Sequence, residues 1–263
     1  MSEERKDKEK LAEGTLISHL LELRDRMIRM AIALIIVFVP CVYFGNEILT
    51  WLADPLVAKL PDDSSLVSTS VMGVFLTPVK LSFYVALVVI MPYLLYEIWG
   101  FVAPGLYKHE KKFAAPLVFS SIALFYSGMA FAYFLVFPGI FEFLVKITPV
   151  NVKMMTDINE YLSFVLTMFL SFGIAFEVPI VVILLVLTNM VRIEKLTSSR
   201  GYVIIGIFVV SAIITPTTDA ISQLAMAGPM WILFEGGVIA ARLMTRNRPK
   251  PAADEEEAQE SGA

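Results

Sequence analysis

The sequence predicts an all-α, polytopic membrane protein with six transmembrane helices, both termini in the cytoplasm, and short fifth and sixth spans. Three observations carry that prediction. Mean hydropathy is +0.72, and only 17% of residues are charged against 57% hydrophobic, where a soluble domain has about a quarter charged. The apolar residues gather into six runs long enough, or nearly so, to cross a hydrocarbon core of about 30 Å. Basic residues also divide unequally between the two sets of connections. Counted alternately, 17 of the 21 lysines and arginines fall with the termini and only Lys59, Lys80, Lys146 and Lys153 fall opposite, so the positive-inside rule puts the termini in the cytoplasm. The net charge of -4 hides this asymmetry, because the acidic stretch Asp254-Glu255-Glu256-Glu257 offsets it.

Residues 1–14 are polar and of mixed charge, and are expected to be a disordered cytoplasmic tail. A six-helix domain follows over 15–242, and 243–263 is expected to be a second, acidic tail. The first run, Met27 to Gly45, has no small-residue cleavage pattern behind it and is expected to be a retained helix. Just before it, His19-Leu20-Leu21-Glu22-Leu23-Arg24-Asp25-Arg26 carries leucines at helical spacing, which predicts an interfacial helix with Glu22 and Arg26 on its wet face. The next runs are Phe75 to Ile98, Ala114 to Phe137 and Tyr161 to Thr188. The fifth, Tyr202 to Thr215, has fourteen residues, about 21 Å of helix, so its outer end is expected below the membrane surface. Only Pro216-Thr217-Thr218-Asp219 separates it from the sixth, Ala220 to Ala241, which contains Gln223 and Gly228-Pro229. The longer outer connections, about Asn46 to Val74 and Pro138 to Glu160, are expected to fold over the outer face as caps.

Several polar residues stand out in this apolar chain. Glu22 lies four residues before Arg26, a spacing that on residues alone fits a plain helical ion pair as well as a receptor carboxylate. Glu110, beside Lys108, Lys111 and Lys112, reads as a locally neutralised surface charge. Glu177 lies deep in the fourth run, where a carboxylate is costly in lipid and is a functional candidate by default. A hydrogen bond to a neighbouring helix, or to carbonyls freed by Pro179, would account for it too. Asp219 suits the N-cap of the sixth helix, and Gln223 follows one turn later on the same face.

Four segments together resemble one family. His19 to Arg26, Phe101-Val102-Ala103-Pro104-Gly105-Leu106-Tyr107-Lys108-His109-Glu110, Phe172-Gly173-Ile174-Ala175-Phe176-Glu177-Val178-Pro179 and Pro216-Thr217-Thr218-Asp219 are similar to the signature segments of the TatC subunit of the twin-arginine protein translocase. The resemblance runs from about Thr15 to Arg242, with one departure. Where the family usually has a Pro-Pro-Asp turn, this chain has Thr217 and Thr218 between Pro216 and Asp219. The resemblance implies a receptor in the bacterial or archaeal cytoplasmic membrane that binds twin-arginine signal peptides and exports folded proteins on the proton-motive force. It implies partners of the TatA and TatB type, self-association, and contact with lipid. It also implies that Glu22 and Glu110 receive the arginine pair beside Arg24 and Phe101, and that Glu177, Asp219 and Gln223 border a groove for a partner's transmembrane helix. Guanidinium chemistry agrees with the first assignment, because carboxylates take arginine through bidentate bonds that lysine cannot copy.

Other classes fare worse. A secondary transporter or proton channel would fit Glu177 and the proline-interrupted helices, and would conduct small solutes or protons when purified alone. An intramembrane enzyme lacks a site: His19 and His109 cannot form H-E-x-x-H, and neither a G-x-S-x-G elbow nor a P-loop occurs. Cys41 is the single cysteine, so intramolecular disulfides are excluded. Neither a cofactor, a metal, nor a nucleic-acid partner is expected.

Overall fold

A computed structural model describes residues 2–50, 65–102, 114–140, 142, 155–214 and 220–245 of the chain. These residues are overwhelmingly helical. In chain order they form α1 (Ser2–Tyr43), a three-residue strand β1 (Ser65–Val67), α2 (Val71–Val102), α3 (Ala114–Phe131), β2 (Met155–Asp157), α4 (Ile158–Ala175), α5 (Val178–Leu187), the short α6 (Ile193–Ser198), α7 (Arg200–Ile214) and α8 (Ala220–Thr245). Five stretches are long and apolar enough to cross a membrane: Ile17–Tyr43, Val71–Val102, Ala115–Ile140, Ile158–Leu187 and Gln223–Thr245. The stretch Arg200–Ile213 is apolar but shorter, as expected of the fifth run.

The elements differ from the sequence reading in four places. First, no break separates His19–Arg26 from the first span, because α1 is continuous from Ser2 through Tyr43. Its polar start, expected as a tail, is rich in Glu and Lys, both good helix formers, with Leu11 and Ala12 among them. Second, α3 passes through a π-helical turn at Ala132–Val136 before continuing to residue 140. Third, the fourth run is two helices, α4 and α5, broken at Phe176-Glu177. Pro179 lacks the N–H that would bond the carbonyl of residue 175, and its ring crowds that carbonyl. Fourth, the sixth helix is not short: α8 has 26 residues with Pro229 inside it, and it continues beyond Ala241 through Arg242. The sequence expected as an acidic tail lies outside the described residues from 246 onward.

The two connections expected on the outer face meet. β1 pairs with β2 in parallel, Ser65 opposite Met155 and Val67 opposite Asp157. Asp157 then caps α4, accepting hydrogen bonds from the N–H groups of Asn159 at 2.8 Å and Glu160 at 3.3 Å. It also accepts from the Thr69 N–H at 2.8 Å and the Thr69 hydroxyl. One carboxylate thus ties the entry of α2 to the start of α4.

The main core lies between α3, α4, α7 and α8, around Phe172, Met168, Val165, Met226 and Phe234. A second cluster, with Trp99, Leu117, Leu187 and Ala241, gathers the C-terminal ends of α2, α5 and α8 with the N-terminal end of α3. This cluster marks the basic end of the bundle. α1 packs on α2, and no residue from Ile17 to Tyr43 is fully buried. Its Ile32, Ile35, Ile36 and Val39 are exposed, as suits a helix whose other side meets hydrocarbon.

Candidate functional site

At the basic end, α1 and α2 are joined by a ladder of charges. Arg26 lies four residues beyond Glu22, one helical turn on, and its Nε and Nη2 both donate to Glu22 Oε1, at 3.0 and 2.7 Å. The expected helical pair therefore forms. Arg26 does not lie on a wet face, however. Its side chain is 17% exposed because it turns toward α2, where Nη1 donates to Glu97 Oε2 at 2.9 Å and Nη2 to the Gly100 carbonyl at 3.0 Å. A Cβ on Gly100 would collide with the Arg26 guanidinium, so the seat exists only because residue 100 has no side chain.

Glu97, which the sequence reading passed over, is the hub. Besides Arg26 it takes Arg29 on both oxygens, Nε to Oε1 and Nη2 to Oε2, each at 3.0 Å. The Tyr93 hydroxyl donates to Oε1 at 2.9 Å. Its side chain is 6% exposed, and a charge so far withdrawn from water is tolerable only when fully partnered. The sequence does hold a signal for it, an acidic residue at the C-terminal end of the second apolar run that can meet the arginines at the start of the first.

The remaining expected residues of this patch divide. Phe101 stacks on His19, ring centroids 4.1 Å apart and planes 16° from parallel, and His19 Nδ1 lies 4.0 Å from Glu22 Oε2. Phe101 and Glu22 are thus brought together through His19. Arg24 is not part of this cluster: two residues from Glu22, it points elsewhere on the helix and pairs with Asp25, Nη2 to Oδ1 at 2.8 Å, with both side chains exposed. Glu110 lies outside the described residues.

A second polar point sits in the middle of the bundle. The helix break sets Glu177 between α4 and α5, at the N-cap of α5 but without a side-chain cap bond. Its carboxylate turns to α3 instead, where the Ser121 hydroxyl donates to Oε2. Oε1 is buried and has no hydrogen-bond partner among the described residues. The arrangement thus contains the neighbouring-helix hydrogen bond weighed for Glu177, and leaves one acceptor open. Gln223 joins α7 to α8: its Nε2 donates to the Phe208 carbonyl at 3.1 Å, and its main-chain carbonyl accepts from the Ser211 hydroxyl at 2.9 Å. Asp219 lies outside the described residues.

The chain matches the family described as Sec-independent protein translocase protein (TatC) over residues 18–229. Named Sec-independent protein translocase protein TatC, a relative from Azotobacter chroococcum mcd 1 is 48% identical over 241 residues, 91% of this chain and 93% of the relative. Another so named, from Escherichia coli (strain K12), is 46% identical over 236 residues, 89% of this chain and 91% of the relative. A crystal structure of the twin arginine translocase receptor TatC superimposes with a TM-score of 0.76 at 37% identity, covering 86% of this chain and 99% of that one. With a family match across most of its length and relatives approaching half identity, the chain belongs to the TatC family of Sec-independent protein translocase proteins.

Proposed function

We propose that this translocase component reads the arginine pair of a signal peptide at the basic end of the bundle, with Glu22 and Glu110 as acceptors. As a TatC protein it is a multi-pass membrane protein of a Tat system, not an enzyme. The reading adds six crossings with both termini cytoplasmic, residence in the cytoplasmic membrane, and partners of the TatA and TatB type. The observation that carries it is Glu22: a carboxylate that already accepts a guanidinium on Oε1, has His19 Nδ1 4.0 Å from its Oε2, and is flanked by the Phe101–His19 stack. Exposed ion pairs contribute about 0.2–1 kcal/mol each. Affinity therefore has to come from a partly desolvated patch and from the apolar part of the signal peptide lying along the helices. Glu177, with one oxygen open, supports a polar contact with a partner helix in the membrane, with Gln223 and Asp219 bordering it.

The test is crosslinking of an Arg-Arg signal peptide, beside a Lys-Lys version, to membranes carrying Glu22→Ala, Glu110→Ala or both. Each single variant is expected to weaken crosslinking and the double variant nearly to abolish it, while salt weakens the wild type more than the double variant. A double variant that still selects Arg-Arg as well as wild type removes these residues as the reader.

A further inference from the structure

Glu22 is already engaged in the structure. Arg26 places two N–H groups on its Oε1, so an arginine arriving from a signal peptide meets a carboxylate whose charge is largely cancelled by a resident one. Arg26, however, has a second seat. It bonds Glu97 Oε2 at 2.9 Å and the carbonyls of Glu97 and Gly100 at 3.3 and 3.0 Å, and all of these remain if it gives up Glu22. Arg29 is held by Glu97 through both oxygens. Two guanidiniums and two carboxylates thus share one partly buried cluster of formal charge zero, and Glu97 does most of the holding.

We propose that Glu97 sets the affinity of this site for a cationic signal as its counter-charge: it retains the guanidiniums of Arg26 and Arg29, so that Glu22 can be ceded to an arginine from outside. The inference rests on the reading of Glu22 as an acceptor of signal arginines. Its physical content is a charge count. Without the Glu97 carboxylate, Glu22 is the one carboxylate left beside Arg26 and Arg29 among the described residues of the cluster, which becomes net positive and repels an incoming arginine. Without the Arg29 guanidinium, the cluster becomes net negative and attracts it. One unit charge at such range, in a medium between water and protein interior, changes binding by about tenfold. A plain mechanical role for the same residues, as a latch between α1 and α2, makes the opposite prediction. Loss of either residue would then loosen the site, and loss of both would loosen it at least as much.

The experiment crosslinks a photoreactive Arg-Arg signal peptide to membranes carrying wild type, Glu97→Gln, Arg29→Gln, the double variant and Glu22→Ala, normalised to the amount of each in the membrane. Glu97→Gln is expected to lower crosslinking about tenfold. Arg29→Gln is expected to raise it and make it more sensitive to salt. The double variant, neutral again, is expected to return to within about twofold of wild type. Weaker binding by Arg29→Gln, or a double variant no better than Glu97→Gln alone, overturns the counter-charge. If Glu97→Gln does not accumulate in the membrane, the sign of the Arg29→Gln effect decides. Glu22→Ala separates the two levels. Undiminished crosslinking there overturns the reading of the site itself, whereas its loss alongside unchanged Glu97 and Arg29 variants overturns only the role given to Glu97.

Discussion

Asp157 lies outside the spans and ties the β1 and β2 connections together through four hydrogen bonds. The Thr69 hydroxyl, followed by the Thr69 N–H and then those of Asn159 and Glu160, holds its carboxyl down from an ordinary 3.8 to about 2, against an opposing desolvation. A carboxyl with a lowered folded value favours the folded state above the ordinary value, and that contribution disappears as pH falls from about 4 toward 2. Asp157→Asn is therefore expected to melt below wild type in detergent at pH 6, with the gap closing as pH falls through that window. A gap that stays constant would show that charge is not what the four donors recognise. At this scale the sequence was legible where partners are near in the chain. The Glu22–Arg26 pair follows from a spacing of four, whereas Glu97 is 71 residues from Arg26 and 68 from Arg29, and only the antiparallel packing of α1 on α2 brings them together. Arg24 was grouped with Glu22 by motif, and helical geometry turns it away.

At the scale of elements, the break between α4 and α5 and the contact of α4 with α3 belong to one design. A Cβ on Gly128 would run into the Phe172 carbonyl, and one on Gly173 would meet the Phe125 ring at 2.6 Å, so the two helices approach at their backbones as small residues allow in membranes. Gly128→Val is expected to destabilise the protein by about 1–3 kcal/mol through overpacking, read as a lower melting temperature in detergent. Gly139→Ala, with no atom of the described residues within 4 Å of its Cβ, is the control and should melt no lower than wild type. The close approach also brings Ser121 of α3 to Glu177. Glu177→Gln can still accept from Ser121 and presents a polar group beside it, so it is expected to preserve crosslinking to a partner's transmembrane helix, while Glu177→Ala is expected to weaken it. Equal behaviour of the two removes the hydrogen-bonding role. The apolar run from Tyr161 to Thr188 marked the helix, and Pro179 was visible within it. Periodicity cannot tell a kinked helix from a broken one, because that depends on whether the freed carbonyls find partners and on neighbours that admit the bend, such as Gly237 of α8, where a Cβ would lie 2.7 Å from the Pro179 Cα.

Over the whole molecule, the strongest inference concerns which end faces the cytoplasm. Hydropathy made the spans legible because lipid requires each crossing helix to satisfy its own backbone. It did not reveal that β1 and β2 join the outer connections, since three-residue strands leave too short a pattern. Packing agrees with the charge count in one respect: Trp99, Leu117, Leu187 and Ala241 meet in one cluster, so the helix ends flanked by Arg26, Arg29, Arg192, Lys195 and Arg242 lie together, and Ser68 and Thr69 lie at the other end beside Asp157. Single cysteines at Ser68 and Ser198, both exposed, test the orientation in a Cys41→Ala background. The Ser68 position is expected to react with an impermeant thiol reagent in intact cells, because the end holding four of 21 basic residues is the one translocated. The Ser198 position, between Lys195 and Arg200, is expected to react only after permeabilisation. Labelling of both in intact cells would mean that one of the three crossings between them, by α2, α3 or α4–α5, is not made, and labelling of Ser198 alone would invert the bundle, putting Glu22 and its arginines on the wrong side of the membrane to meet a signal peptide before export.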